Sequence, residues 1–388
     1  MPIRRCALMT LEPRERLEFD LADLLDGGTG LGARLEWIAI APHTTNEIVV
    51  SAAEAAALGA ISPTRWSERD ELERIHSSDV IGGLLEKQLL IVEASDADAR
   101  ERIARDAGWR CASAAMHYAS RWRGVDTEEV QRNFTDLYGG DLLKELGPAP
   151  PPVRERAQAD ERIALPRAEP TPLDALLDGR VTCRNFDPAR SLTIEQCAAV
   201  LYRAFGARVV DDYAPGVQLL KKGVPSAGGL HPTEAYLLIQ RVDGIAPGLY
   251  HYHAIDHALE PMRELSAADA STLARTFVGS QAYFVDAPIL VMPVTRFRRN
   301  FWKYRNHAKA YRALVLDVGH LSQTLYLAAT ELGLAAFITA AVNEIDIEEA
   351  FGLDPLEEGP LAVCGFGIRG PERKSVEFDP LHAVWKTG

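Results

Sequence analysis

The sequence predicts an α+β fold, and three observations carry that prediction. Strand-like apolar runs and long amphipathic helices both occur in the second half, they do not alternate as regular β-α units, and a proline-rich stretch divides the chain. The chain has 388 residues, 47% hydrophobic and 25% charged, which suits a folded globular protein of about two domains. The longest apolar candidate, Leu332 to Val342, is far shorter than the roughly 18 residues that span a bilayer. The start, MPIRRCALMT, has no signal-peptide core because Glu12, Arg14 and Glu15 follow at once, so a cytoplasmic protein is expected. A net charge of −13 argues against a general nucleic-acid binder, although Arg296 to Arg305 (RFRRNFWKYR) is locally basic. Five scattered cysteines, Cys6, Cys111, Cys183, Cys197 and Cys364, form no CxxC pair and read as free thiols.

The elements follow in chain order. Ser67 to Ile75 is a polar helix candidate, and Ser77-Ser78-Asp79 offers capping oxygens to a second helix. That helix places Val80, Ile81, Leu84 and Leu85 on one face, and Leu89 to Val92 follows as a strand. Helix, helix, strand is the order of a winged helix-turn-helix. With Lys87 as the basic residue of the second helix, peptide or protein is the expected partner rather than DNA. A small packing domain would look the same. Trp109 to Trp122 reads as helical, with His117 as a packed or surface histidine. Seven prolines between Pro148 and Pro172 mark an extended linker. The expected division is an N-terminal domain at 1–147, a linker at 148–172 and a C-terminal domain at 173–388.

In that C-terminal domain Leu192 to Phe205 is an amphipathic helix with Thr193 near its start. Ala235 to Gln240 and Leu249 to His253 are strands, and PILVMPV within Ala287 to Val294 marks a buried one. A long helix starts near Ala310, with Leu314, Val318, Leu321, Leu325, Ala328 and Leu332 at helical spacing and Gly333 at its end. Leu361 to Cys364 is a last short strand. Gly365 to Gly370 is formally G-x-G-x-x-G, but Pro371 and charged residues follow where a dinucleotide fold needs a helix, so that motif is rejected. His251 and His253 share a strand face without a third ligand at recognisable spacing, and are not read as a metal site. The sequon Asn133-Phe134-Thr135 has no meaning for a cytoplasmic chain.

Three segments point to chemistry. In Arg180-Val181-Thr182-Cys183-Arg184, alternate residues of an extended segment converge, and two guanidinium forks with a hydroxyl suit a phosphate dianion. In Pro225 to Pro232 (PSAGGLHP), two glycines between prolines give a stiff turn whose backbone can approach a flat ligand. In Trp302-Lys303-Tyr304-Arg305, an ammonium beside a phenol can act as an acid/base unit. Each alone is equally consistent with an ordinary basic strand, tight loop or exposed aromatic stretch.

Taken in order, these segments resemble the nitroreductase-like flavoproteins, and within them the SagB-type dehydrogenases of peptide maturation. PSAGGLHPTEAYL (Pro225 to Leu237) and KYRNHAKAYRALVLDVGHLSQTLYLAATELGL (Lys303 to Leu334) carry the resemblance, which spans Arg180 to Arg369. It implies an FMN-binding fold behind a winged-helix-like N-terminal extension. It also implies that Arg180, Thr182 and Arg184 hold the phosphate and ribityl chain, and that Arg369 returns to the phosphate. Ser226 and Gly228 would sit against the isoalloxazine ring, and Ile338, Thr339, Ala340 and Ala341 would present backbone near N5. Lys303 and Tyr304 match the base of azoline-oxidising relatives. The implied reaction is two-electron oxidation of a thiazoline or oxazoline in a precursor peptide to the azole. The resemblance further implies a homodimer with flavin at the subunit interface and a possible cyclodehydratase or other maturation-enzyme partner, while hydropathy and net charge imply no membrane or nucleic-acid partner. Thr324 and Ala340-Ala341 depart from the Asn and Gly of relatives. Two other readings are an NAD(P)H-dependent reductase of dehydroamino acids or nitro or quinone compounds, and a non-catalytic scaffold.

Overall fold

The computed structural model describes residues 1–44, 47–129, 147–305 and 307–385. The Asn133-Phe134-Thr135 sequon lies outside the described residues. The chain begins with β1 (Pro2–Arg5), a long hairpin of β2 (Thr10–Phe19) and β3 (Leu31–Ile40) around α1 (Leu21–Leu25), then β4 (Ile48–Val50). Next come α2 (Ala52–Ala60), β5 (Ser67–Glu68), α3 (Arg69–His76), α4 (Ser78–Glu86) and β6 (Leu90–Val92). The small sheet runs β5-β1-β6, over a core that includes Ile3, Leu58, Ile81, Leu84 and Ile91. Ser67 and Glu68 differ from the sequence expectation: they pair with Ile3 and Pro2 as strand, and the helix begins after them. Ser77 caps α4 through Val80 N, and its expected apolar face is buried at Ile81 and Leu84. The Lys87 ammonium is held at 2.7 Å by both oxygens of Glu54, itself part of the Ser51 capping box that opens α2.

Two further helices, α5 (Asp96–Ala107) and α6 (Cys111–Ala119), carry the chain onto its second half. Trp109, between them, packs against Phe297, Phe301 and Tyr311, and its indole donates to Leu356 O at 2.9 Å. His117 is packed: it stacks on Trp109 and shares a 2.9 Å hydrogen bond with Tyr311 Oη, and burial lowers its pKa to about 3, keeping it neutral. Residues 148–171 are exposed and contain the 3-10 turn Ala159–Glu161.

The second half comprises α7 (Pro172–Gly179), α8 (Ile194–Ala204), a hairpin of β7 (Ala207–Ala214) and β8 (Val217–Lys222), and strands β9 (Thr233–Ile239), β10 (Gly248–His253) and β11 (Ala258–Glu264). It continues with α9 (Ala267–Phe277), α10 (Ala282–Val285), β12 (Ile289–Arg296), α11 (Phe297–Tyr304) and α12 (Ala310–Glu331). The last elements are β13 (Ala335–Thr339), α13 (Glu344–Phe351), β14 (Glu358–Pro360) and β15 (Val363–Gly367). The main sheet is ordered β11-β10-β9-β12-β15-β13, with β14 on β12, and its pairings are antiparallel. Helices cover both faces. Cys197, Val200 and Leu201 of α8 with Leu321, Leu325 and Ala329 of α12 meet Leu237, Ile239, Ile289 and Val291. Ala270, Ala274 and Phe277 of α9 with Ile347 and Phe351 of α13 meet Tyr236, Leu238, Leu290 and Met292. Being central and covered on both faces, β12 reads as an unbroken apolar run rather than an alternating one.

The expected helices at Thr193 and Ala310 are present, the first closed by a Thr193–Gln196 capping box. The last strand runs on to Gly367, so Gly365 and Gly367 lie inside β15. A Cβ there would overlap the Phe337 ring and Pro288 respectively, so these glycines serve packing. The expected histidine face on β10 is used in ion pairing: His251 meets Glu260 at 2.6 Å and Glu234 at 3.2 Å.

Candidate active site

The Ser-Ala-Gly-Gly loop is fixed from below by a buried carboxylate. Ser226 Oγ donates to Asp317 Oδ2 at 2.5 Å and the Ala227 N–H donates to Asp317 Oδ1 at 3.2 Å. Ser226 Oγ in turn accepts the His231 N–H at 3.0 Å. Asp317 lies on the packed face of α12; burial raises its pKa, while the bonds from Ser226 and Ala227 oppose the rise. Above this anchor Gly228 and Gly229 take φ +62° and +69°, the left-handed region that glycine enters without strain. Burial lowers His231 to about 4 and Lys222 to about 8, so the imidazole beside the loop is neutral.

The loop meets the Lys-Tyr pair directly. A Cβ added at Gly228 would stand 2.6 Å from Tyr304 Oη and 2.7 Å from Lys303 Nζ. Lys303 Nζ lies 5.6 Å from the centroid of the Tyr304 ring, with Lys303 exposed and Tyr304 half-buried. Phe297, Asn300 and Phe301 bury the other face of α11, and Asn300 Nδ2 donates to Ala310 O at 3.0 Å. Arg299 ties the helix to the loop by donating to Leu230 O at 3.1 Å and to Gln218 O at 2.6 Å.

The basic strand forms a second cluster. Val181 and Cys183 are buried while Thr182 and Arg184 stay half-exposed. Cys183 N donates to Ala336 O at 2.9 Å, which lays the segment beside β13. Thr182 Oγ1 shares a 2.9 Å hydrogen bond with Tyr326 Oη, which also accepts the Ile338 N–H at 3.1 Å. The Arg180 guanidinium stands 5.4 Å over the Tyr326 ring, and that of Arg184 stands 5.7 Å from the Tyr283 ring. Neither has a carboxylate partner among the described residues. At the end of β13, Thr339 Oγ1 donates to Gln281 Oε1 at 2.8 Å and accepts the Ala341 N–H at 3.2 Å, leaving Ala340 exposed. Arg369 is differently placed: its guanidinium is ion-paired to Glu377, and it also donates to Val181 O at 3.4 Å.

Sequence reasoning thus selected residues that fall into two groups. Ser226 and Gly228 adjoin Lys303 and Tyr304; Arg180 and Thr182 adjoin Ile338 and the turn through Ala341. The groups attach to α12 at Asp317 and Tyr326, nine positions apart, or about 14 Å along a helix. The sequence reading gave no role to Asp317, Tyr326, Gln281 or Glu377. Asp317 had a legible signal, an acid inside the apolar stripe between Leu314 and Leu321; Glu377 had none. Arg180 over the Tyr326 ring and Arg184 by the Tyr283 ring, with the Thr182 hydroxyl between them in sequence, are the residue types that hold a phosphate dianion. Gly229, where a Cβ would meet nothing within 4 Å, leaves open backbone beside the contact of Gly228 with Lys303 and Tyr304, and a flat ring suits it, so the residue types present suit FMN.

The Nitroreductase family profile matches residues 177–368. The trifolitoxin-processing protein TfxB of Rhizobium leguminosarum bv. trifolii is 31% identical over 162 residues, 42% of this chain and 43% of that protein. The microcin B17-processing protein McbC of Escherichia coli is 26% identical over 188 residues, 47% of this chain and 65% of that protein. Both relatives are therefore matched over less than two thirds of their own length. Among solved structures, a chain of the E. coli microcin synthetase McbBCD complex with truncated pro-MccB17 bound aligns at 21% identity and a TM-score of 0.46. That alignment covers 66% of this chain and 91% of that one. The stretch that holds both residue clusters, 177–368, is a domain of the nitroreductase family.

Proposed function

We propose that this chain is an FMN-dependent dehydrogenase of SagB type that oxidises an azoline in a ribosomally made precursor peptide to the azole. The observation that carries this reading is the contact of the Gly228 turn with Lys303 and Tyr304. It sets an acid/base pair against a turn whose two glycines, Gly228 and Gly229, carry no side chain. FMN, when bound, supplies the two-electron acceptor. Arg180, Thr182 and Arg184 bind the phosphate end, and Ser226, Gly228 and the Ile338 to Ala341 backbone hold the ring. Tyr304, as the phenolate that the Lys303 ammonium beside it favours, takes the ring C–H proton of the substrate at Oη and becomes the neutral phenol. The names of the trifolitoxin- and microcin-processing relatives support a peptide substrate.

The separation of the two clusters along α12, with Val315 and Leu316 of that helix 50% and 64% exposed, supports a homodimer whose two protomers complete each flavin site. The winged-helix-like unit at 1–147 engages the peptide or a cyclodehydratase or other maturation enzyme. No helix among the described residues is long and apolar enough to cross a membrane, and a cytoplasmic setting suits the thiols. The test is to load the purified chain with FMN and offer a synthetic thiazoline-bearing peptide under air. Loss of two hydrogens from the peptide by mass spectrometry is the expected result. An unchanged peptide, with flavin that NADH or NADPH bleaches rapidly, would favour the reductase reading.

A further inference from the structure

We propose that Glu377 is a positioning residue of the cofactor cradle: it neutralises Arg369 and fixes the Arg184 main chain, so that Arg180 and Arg184 read the phosphate. This rests on the flavin reading above.

Glu377 lies ten residues beyond β15, in a segment without helix or strand, yet it is 1% exposed. Its neighbours Val376 and Phe378 are 80% and 84% exposed. The segment thus turns two apolar side chains to water and buries the acid between them, the reverse of what apolar burial alone would select. A buried carboxylate is tolerated only when its oxygens are fully engaged, and these are. Oε1 accepts the Arg184 N–H at 2.6 Å and Asn185 Nδ2 at 2.8 Å. Oε2 accepts the Trp385 indole N–H at 2.7 Å and pairs with Arg369. Asn185 reinforces the docking: its Oδ1 accepts the Lys374 and Ser375 N–H groups at 2.7 and 2.6 Å.

Four arginines stand near this segment, Arg180, Arg184, Arg369 and Arg373, the last donating to Glu377 O at 2.5 Å. Glu377 cancels the charge of Arg369, and Arg180 and Arg184, without a carboxylate partner among the described residues, remain for the phosphate. It also holds the peptide unit from which the Arg184 side chain springs. Arg369 then acts through Glu377 and not on the phosphate.

The experiment titrates FMN and riboflavin, which lacks the phosphate, into the full-length chain by flavin fluorescence quenching. In Glu377→Gln one amide N–H₂ must face the donors at Arg184 and Asn185 or the Arg369 guanidinium, so the hold on the Arg184 main chain is lost. FMN affinity falls tenfold or more and riboflavin affinity holds, whereas loss of general packing would lower both together. Removing both charges in E377Q/R369Q takes away the mismatch, and replacing both partners of a buried pair is far milder than breaking it. That double variant keeps the FMN-over-riboflavin preference within about threefold of wild type. An unchanged preference in E377Q overturns the inference, as does a tenfold loss in the double variant, which would mean that Arg369 itself holds the phosphate. A wild-type chain that binds neither flavin overturns the flavin reading and this inference with it.

Discussion

Replacing Gly228 by alanine probes the contact on which the proposed chemistry depends. The substitution acts twice. At φ +62° an L-residue costs roughly 1–2 kcal/mol relative to glycine, which lowers the melting temperature of a domain of this size by about 2–8 °C. The new methyl would also stand 2.6 Å from Tyr304 Oη and 2.7 Å from Lys303 Nζ, so both groups must retreat by several tenths of an ångström. Displacements of about 1 Å at a reacting centre cost roughly 10²-fold in rate. The expected outcome is a folded chain that still binds FMN and turns over a thiazoline peptide about 10²-fold more slowly. Steady-state kinetics beside flavin absorbance and a thermal melt measure all three. Turnover within twofold of wild type would refute the placement of the loop against the acid/base pair.

Other perturbations separate the roles. Lys303→Ala and Tyr304→Phe should retain flavin but lose turnover by roughly 10²–10⁴-fold, and a visible absorption spectrum shows whether flavin remains. Arg184→Ala should instead weaken FMN retention, because the phosphate loses a charge-assisted partner; equal occupancy in all three variants contradicts the division. Asp317→Ala removes the acceptor of Ser226 and Ala227, and about 1.5–3 kcal/mol of stability should go with it in chemical denaturation. Where Arg121 and Trp122 meet α13, burial raises the Glu344 and Glu348 carboxyls to about 7. The folded chain then binds more protons than the unfolded chain between about pH 4.5 and 7, so stability declines as pH rises through that window. Glu344→Gln should flatten the decline in melting temperature measured across it, and an unaltered slope would assign it to other groups.

The elements were legible wherever local rules and tertiary packing agree. Thr193 and Gln196 spell a capping box and the α12 stripe recurs at helical spacing, and both appear where their residues put them. The PILVMPV run announced a strand covered on both faces. Ser67 and Glu68 misled because pairing with β1, distant in sequence, overrides their helical context. Of the candidate site, residue types and alternation along Arg180 to Arg184 were readable, since a strand's two-residue period is a local property. The adjacency of Gly228 to Lys303 was not, because it depends on how α11 is anchored by Phe297 and Phe301 and tied down by Arg299. Glu377 was invisible for the same reason: an acid between two apolar residues in a proline- and charge-flanked tail gives no hint that the acid is the buried one.

The central claim is that electrons leave a peptide heterocycle for a flavin held beside Lys303 and Tyr304. The most direct test is an anaerobic single turnover: FMN-loaded chain mixed with a thiazoline peptide, with flavin absorbance and peptide mass followed together. The account predicts one equivalent of thiazole for each flavin bleached, and neither change in the Tyr304→Phe variant on the same timescale. Flavin that stays oxidised over an intact thiazoline, in a chain that demonstrably holds FMN, would contradict it.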